Sequence, residues 1–465
     1  MLKDLFGHIV DVIVELLRQE EIWLFLFIVG LGGILLVTIP SGGVNLIKII
    51  LSLWWLWGAF ILFRLFLDTW IHYHQEDFKR NLEYILLELR IPREIKKSPQ
   101  AMEQVLRALH ALRTSADTAK EEYMEGVLTP CFSLEVVSFG GEVHFYIRCL
   151  KKQRNLVEAA FFSYYIDVEV VEVPDYIEKF PQTIAEMNER DYDFWGAEIA
   201  LAKDDIYPVK SYVAFESPAE EKQFDPISVL LEFLGKAPKE NIIGIQVLIS
   251  PATGTWPDKW KSEIEKLQKP PMMEVATGSE EGGTREVATG RTPGQVDILK
   301  AVEESISKPA FLTLIRYIYI APKSNYYHHF ARLGMIGVIN QYSALNLNSF
   351  RTNYKPAPST GLWYWPHIFP KTRKIYRKQR TLYEYLNRVV PPEKKIGRLI
   401  NSYLFNWYSY SKRFYMNVEG LATFFHLPTF LVLTAPHIKR VESRKTGPPS
   451  GLAIFGEEGE IEKYK

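Results

Sequence analysis

Two long apolar runs near the start of the chain constrain its fold more than any other feature. The first, Ile22 to Ile39, carries no charge, and the second, Ile49 to Leu67, carries only Arg64. Each run is long enough for one membrane-spanning helix of about 20 residues. A turn signal, Pro40 to Gly43, separates them. The sequence therefore predicts a transmembrane helical hairpin.

A cleavable signal peptide is the alternative reading of the first run. Acidic residues precede this run, and no small-residue cleavage site stands between it and Pro40, so the pattern favours a hairpin. Ahead of the hairpin, residues 2–17 place apolar side chains at helical spacing. This spacing predicts an amphipathic helix that lies on the membrane surface.

The distribution of cations sets the expected orientation of the hairpin. Only Lys48 lies between the two runs, whereas the flank after the second run carries Lys79, Arg80, Arg90, Arg93, Lys96 and Lys97. Because cytoplasmic flanks are enriched in Lys and Arg, we expect both termini and the soluble part to lie in the cytoplasm. The expected location is the inner (cytoplasmic) membrane, with a multi-pass topology.

Overall composition gives less information about function. Lys plus Arg and Asp plus Glu both number 55, so the formal net charge is zero and no global field indicates a nucleic-acid or acidic partner. The two cysteines, Cys131 and Cys149, cannot form a disulfide scaffold. They flank a predicted hairpin in a register that places them on opposite faces, which favours two buried free thiols.

The soluble part predicts an α+β fold. Two alternating runs, Pro130–Phe139 and Glu142–Leu150, meet at Gly140-Gly141, the residue pair that a tight hairpin turn prefers. A predicted helix, Lys151–Tyr164, and a predicted strand, Val168–Val173, follow. The order β-β-α-β is most of a ferredoxin-like module, and a second set of strands and helices follows it.

These patterns define seven expected segments. They are an amphipathic helix and transmembrane hairpin at 1–75, a helical neck at 76–128, a first ferredoxin-like module at 129–192, a second α+β module at 193–345 with a disordered loop at 269–296, a basic loop-rich tract at 346–395, a C-terminal helix and strand segment at 396–449, and a tail at 450–465. The loop at 269–296 is rich in Pro, Gly, Glu and Thr and contains the sequence EVATG twice.

No motif in the sequence indicates catalysis, a cofactor or a metal. The nearest approach to a phosphate-binding loop, Gly278 to Gly283, contains two acidic residues and no following Lys. His328-His329 and His72/His74 are the close histidine groupings, and no Cys or carboxylate stands at ligand spacing beside His328-His329, so structural histidines are expected. Asp191/Asp193 and Asp204/Asp205 flank predicted turns, where Asp is favoured for local hydrogen bonding. We therefore expect no catalytic, cofactor-binding or metal-ligating residue.

One basic tract remains as a candidate contact site. Its cations are Lys371, Arg373, Lys374, Arg377, Lys378 and Arg380, and Tyr376 and Tyr383 are interleaved with them. Such a tract can hold nucleic-acid phosphates with aromatic support. It can also face anionic lipid or a protein partner, or form a solvated surface, and the sequence leaves these readings open.

The C-terminal part carries the one specific resemblance. Glu419, Leu421, Ala422, Thr423, Phe425, His426 and Pro428, followed by Lys445, Pro448, Pro449 and Leu452, match two runs that precede the motor domain of conjugation-type DNA-translocating ATPases. The chain resembles the N-terminal, non-motor region of these type IV secretion-like enzymes. Gly420 departs from an expected acidic residue, and the tail after Leu452 is too short for a nucleotide-binding domain.

The resemblance implies a non-catalytic, membrane-anchored scaffold that docks a separately encoded P-loop ATPase and channel subunits, and self-association stays open. In this view the basic residues Lys439, Arg440, Arg444 and Lys445 form an exposed handle for a partner. The alternative is a membrane-tethered module that binds nucleic acid through residues 371–380.

Overall fold

The structure is a computed structural model that describes residues 54–92, 98–116, 118–215, 224–270, 272–276, 284–288, 290–360, 369–392, 411–429 and 440–441. It begins with helix α1, Trp54–Arg80. The predicted amphipathic helix and first membrane run lie outside these residues, and the second run is only partly inside them. Within the described ranges, no helix is long and apolar enough to span a membrane.

After α1 the chain forms the first half of an antiparallel sheet. Its elements are β1 (Tyr84–Pro92), α2 (Pro99–Ala111), β2 (Phe132–Phe139), β3 (Glu142–Leu150), α3 (Arg154–Tyr164) and β4 (Glu169–Val173). The strands lie in the order β4-β1-β3-β2, and each neighbouring pair is antiparallel. The predicted hairpin around Gly140-Gly141 is confirmed, with positive φ angles at both glycines.

The second half repeats this arrangement. A short helix, α4 (Ile184–Glu189), leads to β5 (Tyr192–Leu201), α5 (Ser228–Gly235), β6 (Ile242–Pro251), α6 (Lys261–Gln268), β7 (Met272–Ala276), β8 (Thr284–Ala288), α7 (Pro293–Ile306), β9 (Ala310–Pro322), α8 (His328–Asn340) and β10 (Phe350–Asn353). The strand order β10-β5-β9-β6 mirrors that of the first half, while β7 and β8 form a separate hairpin.

The two halves share one continuous sheet. Strand β2 pairs with β6 in antiparallel register, from Phe132 opposite Ile249 to Phe139 opposite Ile242. With β11 (Phe414–Asn417) paired to β9 and the two-residue strand β12 (Arg440–Val441) paired to β1, the sheet has ten strands. The expected boundary at residue 192 therefore does not separate two sheets.

Both faces of this sheet are covered. On one face, a large core contains buried residues of α2, α3, α5, α8 and α10 (Val418–Phe424). On the other face, a second core contains residues of α4 and α9 (Pro370–Leu386). A strand covered on both faces is buried along most of its length, as β2 and β9 are.

Three sequence-based assignments of secondary structure are wrong. Residues 84–92 of the expected helical neck form β1, which lies inside the sheet. The expected disordered loop at 269–296 contains the β7–β8 hairpin and the start of α7. The expected loop-rich tract at 346–395 contains α9, a helix of 17 residues. In each case tertiary packing or pairing determines a structure that local composition did not indicate.

The expectation for the cysteines is partly confirmed. Both are free thiols, Cys149 is buried and Cys131 is half-buried. Burial raises the pKa of the Cys149 thiol to about 12, which keeps it protonated at neutral pH.

Candidate functional site

A row of polar side chains crosses the sheet on the face that α9 covers. Pairing aligns Glu88, Tyr146, Glu135, Gln246, Arg316, Glu198 and Asn353 on seven neighbouring strands. We call these seven residues the polar row. Its central members are almost fully buried, and buried charges need partners. The partners come largely from α9 and the residues that follow it.

Arg316 is the first charged centre of the polar row. Its Nη2 lies 3.2 Å from Glu198 Oε1 and 3.2 Å from Glu384 Oε2, and its Nη1 donates to the Glu384 carbonyl oxygen at 3.0 Å. Ser411 donates its hydroxyl to Glu198 at 2.9 Å. Burial raises the pKa of Glu198, and the charge of Arg316 opposes this shift. The guanidinium thus joins β5, β9 and α9.

Arg388 forms the second charged centre, just beyond the end of α9. Its Nε donates to Glu135 Oε1 at 2.6 Å, and its Nη1 donates to Asp175 Oδ2 at 2.6 Å. A second bond to each carboxylate makes both pairs bidentate, the strongest geometry for such contacts. Tyr176 donates to Glu135 at 2.6 Å and lies 3.0 Å from the Tyr385 hydroxyl.

Two glycines let α9 approach the sheet closely. A Cβ atom on Gly244 would lie 2.0 Å from the Tyr385 hydroxyl oxygen, and one on Gly196 would lie 2.7 Å from a Thr381 methyl group. Both glycines are Cα partners of Ile318 on β9. The absence of side chains at these two positions leaves a shallow groove on the sheet, and α9 packs against it.

The six cations of the basic tract do not form one surface. Arg373 and Lys378 are buried, and Lys378 pairs with Asp193. Arg380 Nε donates to Glu384 at 2.5 Å, and Arg377 donates to the carbonyl oxygen of Ser359 at 2.9 Å. Lys371 and Lys374 are the two members of the tract with an exposed side chain.

The other candidate residues have structural surroundings. His328 is half-buried against Trp195, with ring centroids 5.5 Å apart. Burial lowers the pKa of His72 on α1. No group of three or more His, Cys, Asp or Glu suited to a metal ion occurs among the described residues. The glycine-rich stretch 278–283 lies outside them.

The run that carries the resemblance is part of the core. In α10, Leu421, Ala422 and Thr423 are fully buried. His426 donates through Nδ1 to the Ala422 carbonyl oxygen at 2.8 Å, and its Nε2 lies 2.7 Å from Asp225 Oδ1. Both ring nitrogens therefore face oxygen atoms, and the ring connects α10 to the residues just before α5. The residues of the expected basic handle lie outside the described residues except Arg440, which is part of the short strand β12 (Arg440–Val441) beside β1.

Helix α1 has two different parts. In its first part, Leu62, Phe63, Leu65 and Phe66 are exposed and span an arc of about 160° at 100° per residue. An ordinary surface helix has an apolar stripe of about 100°, and it faces the core. In its second part, Ile71 is buried and the Trp70 indole donates to the Tyr123 carbonyl oxygen at 2.8 Å.

Sequence reasoning missed the charged centres of the polar row. Glu135 and Arg316 each stand alone within a strand that is otherwise largely apolar, as in FSLEVVSF and AFLTLIRYIYIAP. A single charge in a run that predicts a doubly covered strand indicates a buried ion pair, because such a charge cannot reach water. That signal was present in the sequence.

A family model described as a domain of unknown function (DUF8128) matches residues 70–343 of the chain. No curated protein matches the sequence. The matched range starts in the second part of α1 and takes in the helices and strands of both halves as far as α8.

Proposed function

The chain belongs to the DUF8128 family, whose description gives no function. From the apolar runs and from the resemblance that its C-terminal run carries, we propose a function for this chain. The protein is a non-catalytic, membrane-anchored docking subunit of a type IV secretion-like or conjugative DNA-transfer system. Its cytoplasmic part binds a separately encoded P-loop ATPase and channel subunits at the inner membrane.

The exposed apolar arc of α1 carries this proposal. Leu62, Phe63 and Phe66 are each more than half exposed, which in water is unfavourable by about 25 cal/mol per Å² of apolar surface. A lipid environment removes this cost. The arc belongs to the second of the two apolar runs, so it supports contact of this part of α1 with lipid.

The close packing of α1 against the chain that follows α2 supports a role for α1 as an anchor that fixes the orientation of the soluble part. Gly126 has a φ of +64°, and a Cβ atom there would lie 2.4 Å from the carbonyl carbon of His74. The chain after α2 is therefore pressed against the backbone of α1. A helix held this closely orients the soluble part relative to the membrane.

The repeated strand order supports two ferredoxin-like modules. Each half has the order β-α-β-β-α-β once the α6-β7-β8-α7 insertion between β6 and β9 is left out of the second half. In each half the third of these four strands lies between the first and the second, as in the split βαβ arrangement. In each half, helices cover the same face of the sheet. The modules join through their second strands, β2 and β6.

Affinity capture tests the proposal. The tagged full-length chain, extracted from native membranes in a mild detergent, is expected to recover a P-loop ATPase, identified by mass spectrometry. A variant with Arg388→Met, which removes the cation that joins α9 to the sheet, is expected to reduce recovery. Absence of any P-loop ATPase from the wild-type capture contradicts the proposal.

A further inference from the structure

A cleft opens at the end of β5, where separate segments of the chain meet. Its volume is about 610 Å³, which is within the range of about 300 to 1,000 Å³ that is typical of small-molecule sites. We propose that this cleft binds a small organic phosphate, with the phosphate group on its cations and the organic part on its apolar wall. This site goes beyond the proposed docking function and does not depend on it.

The cleft lies where β9 changes its strand partner. Strand β5 pairs with β9 as far as Ile199 opposite Ile315, and β11 takes the same edge of β9 from Phe414 opposite Thr313. The other edge of β9 pairs with β6 throughout this stretch. Residues at the end of β5 and at the start of β11 therefore meet, and they line the cleft together with Arg351 of β10.

Cations from three segments of the chain line the cleft. They are Lys203, Arg351, Lys412 and Arg413. The first three are exposed, and among the described residues no carboxylate forms a salt bridge with any of these three. A phosphate group has a charge of about −1.5 to −2 at neutral pH and three strong acceptor oxygens, so it can contact several Lys and Arg side chains at once. The convergence of these cations therefore favours a phosphate-bearing ligand.

Two carboxylates also line the cleft, and one of them already has partners. Asp205 accepts a hydrogen bond from the backbone N–H of Tyr415 at 3.2 Å and lies 3.6 Å from Lys259 Nζ. The other carboxylate, Asp204, is exposed. The four cations outnumber these two carboxylates, so the cleft attracts anions.

A buried asparagine fixes the wall of the cleft that carries Lys203. The Asn348 side chain donates to the carbonyl oxygens of Asp204 and Tyr207, both at 3.0 Å, and it accepts from the backbone N–H of Lys203 at 2.9 Å. Asn348 is 1% exposed, and hydrogen bonds are stronger in such a buried environment than in water. A wall that is already ordered loses little conformational entropy when a ligand binds.

The apolar wall of the cleft comes from helices α6 and α7. Leu267 of α6 and Ile298 of α7 line it, together with the half-buried Tyr207. Arg291 donates to the Leu267 carbonyl oxygen at 3.1 Å, which holds the end of α6 next to the start of α7. Burial of an organic group against this wall is favourable. A nucleic acid strand requires a continuous basic groove, whereas these cations converge on one cleft.

Titration calorimetry of the full chain, purified by itself in a mild uncharged detergent, tests this site with ADP, pyrophosphate and adenosine as probes. We expect ADP to bind, pyrophosphate to bind about tenfold more weakly because it lacks the organic part, and adenosine to bind more weakly still because it lacks the phosphates. The pair Arg351→Met/Lys412→Met is expected to lower the affinity for ADP about tenfold or more. The matched control Lys371→Met/Lys374→Met removes two exposed cations of α9 and leaves this affinity unchanged. All four substitutions are at exposed positions, so both variants are expected to fold.

Several outcomes would overturn the site. They are the absence of ADP and pyrophosphate binding at up to about 10 mM, ADP binding that Arg351→Met/Lys412→Met leaves unchanged, and an equal loss of affinity in the control variant. Equal affinities for ADP and pyrophosphate overturn the apolar part of the site, and a single-stranded oligonucleotide that displaces ADP overturns a small-molecule ligand. Phosphatidylglycerol added to the micelles separates two sources of the same chemistry. Unchanged ADP binding supports a soluble organic phosphate, and displacement of ADP supports a phospholipid headgroup.

Discussion

Arg388 shows how single buried charges determine the structure at the residue scale. Its guanidinium is 7% exposed and forms bidentate pairs with Glu135, which is fully buried, and Asp175. Burying these groups is costly, and the pairs offset that cost only while all partners are present. These buried charges therefore contribute more to fixing the position of the chain after α9 than to the free energy of unfolding.

Arg388→Met is expected to lower the free energy of unfolding by roughly 3 to 5 kcal/mol, because it leaves Glu135 with an uncompensated buried charge. Denaturant unfolding at neutral pH measures the loss. Lys371→Met changes an exposed cation of the same segment and is expected to stay within about 0.5 kcal/mol of the wild type. Equal stability of the two variants would contradict the described pairing.

At the scale of a single element, Gly126 determines how closely α1 packs against the chain that follows α2. Gly126→Ala forces a Cβ atom into the backbone of His74 at a positive φ angle. We expect the second part of α1 to lose hydrogen-exchange protection while the sheet keeps its own. Gly254→Ala is the matched control, since no atom lies within 4 Å of the added Cβ. Unchanged protection of residues 70–80 in Gly126→Ala would show that the contact is not required.

Elements were predictable from sequence where one physical rule decided them. The hairpin of β2 and β3 followed from alternation and its Gly140-Gly141 turn. Strand β1 was missed because both of its faces are covered, so its apolar residues do not alternate. Helix α9 was missed because part of its buried face consists of charged residues, which gives no apolar period.

At the scale of the whole molecule, two like halves form one sheet. Helices α9 and α10, which come from the C-terminal part of the chain, pack on its two faces. Helix α10 packs on the face that α2, α3, α5 and α8 cover, and α9 covers the polar row on the opposite face. These placements depend on contacts between residues far apart in sequence, such as Arg388 with Glu135. Local patterns in the sequence carry no such information, so the joining of the two predicted modules could not be foreseen.

Attachment of this body to a membrane through α1 is the central claim, and alkaline carbonate extraction of native membranes tests it most directly. The full chain is expected to stay in the membrane pellet, because we propose that its two apolar runs insert into the bilayer. A chain without residues 1–67, which keeps Ile71 and the contacts of α1 with the body, is expected in the supernatant. Release of the full chain into the supernatant would contradict the account.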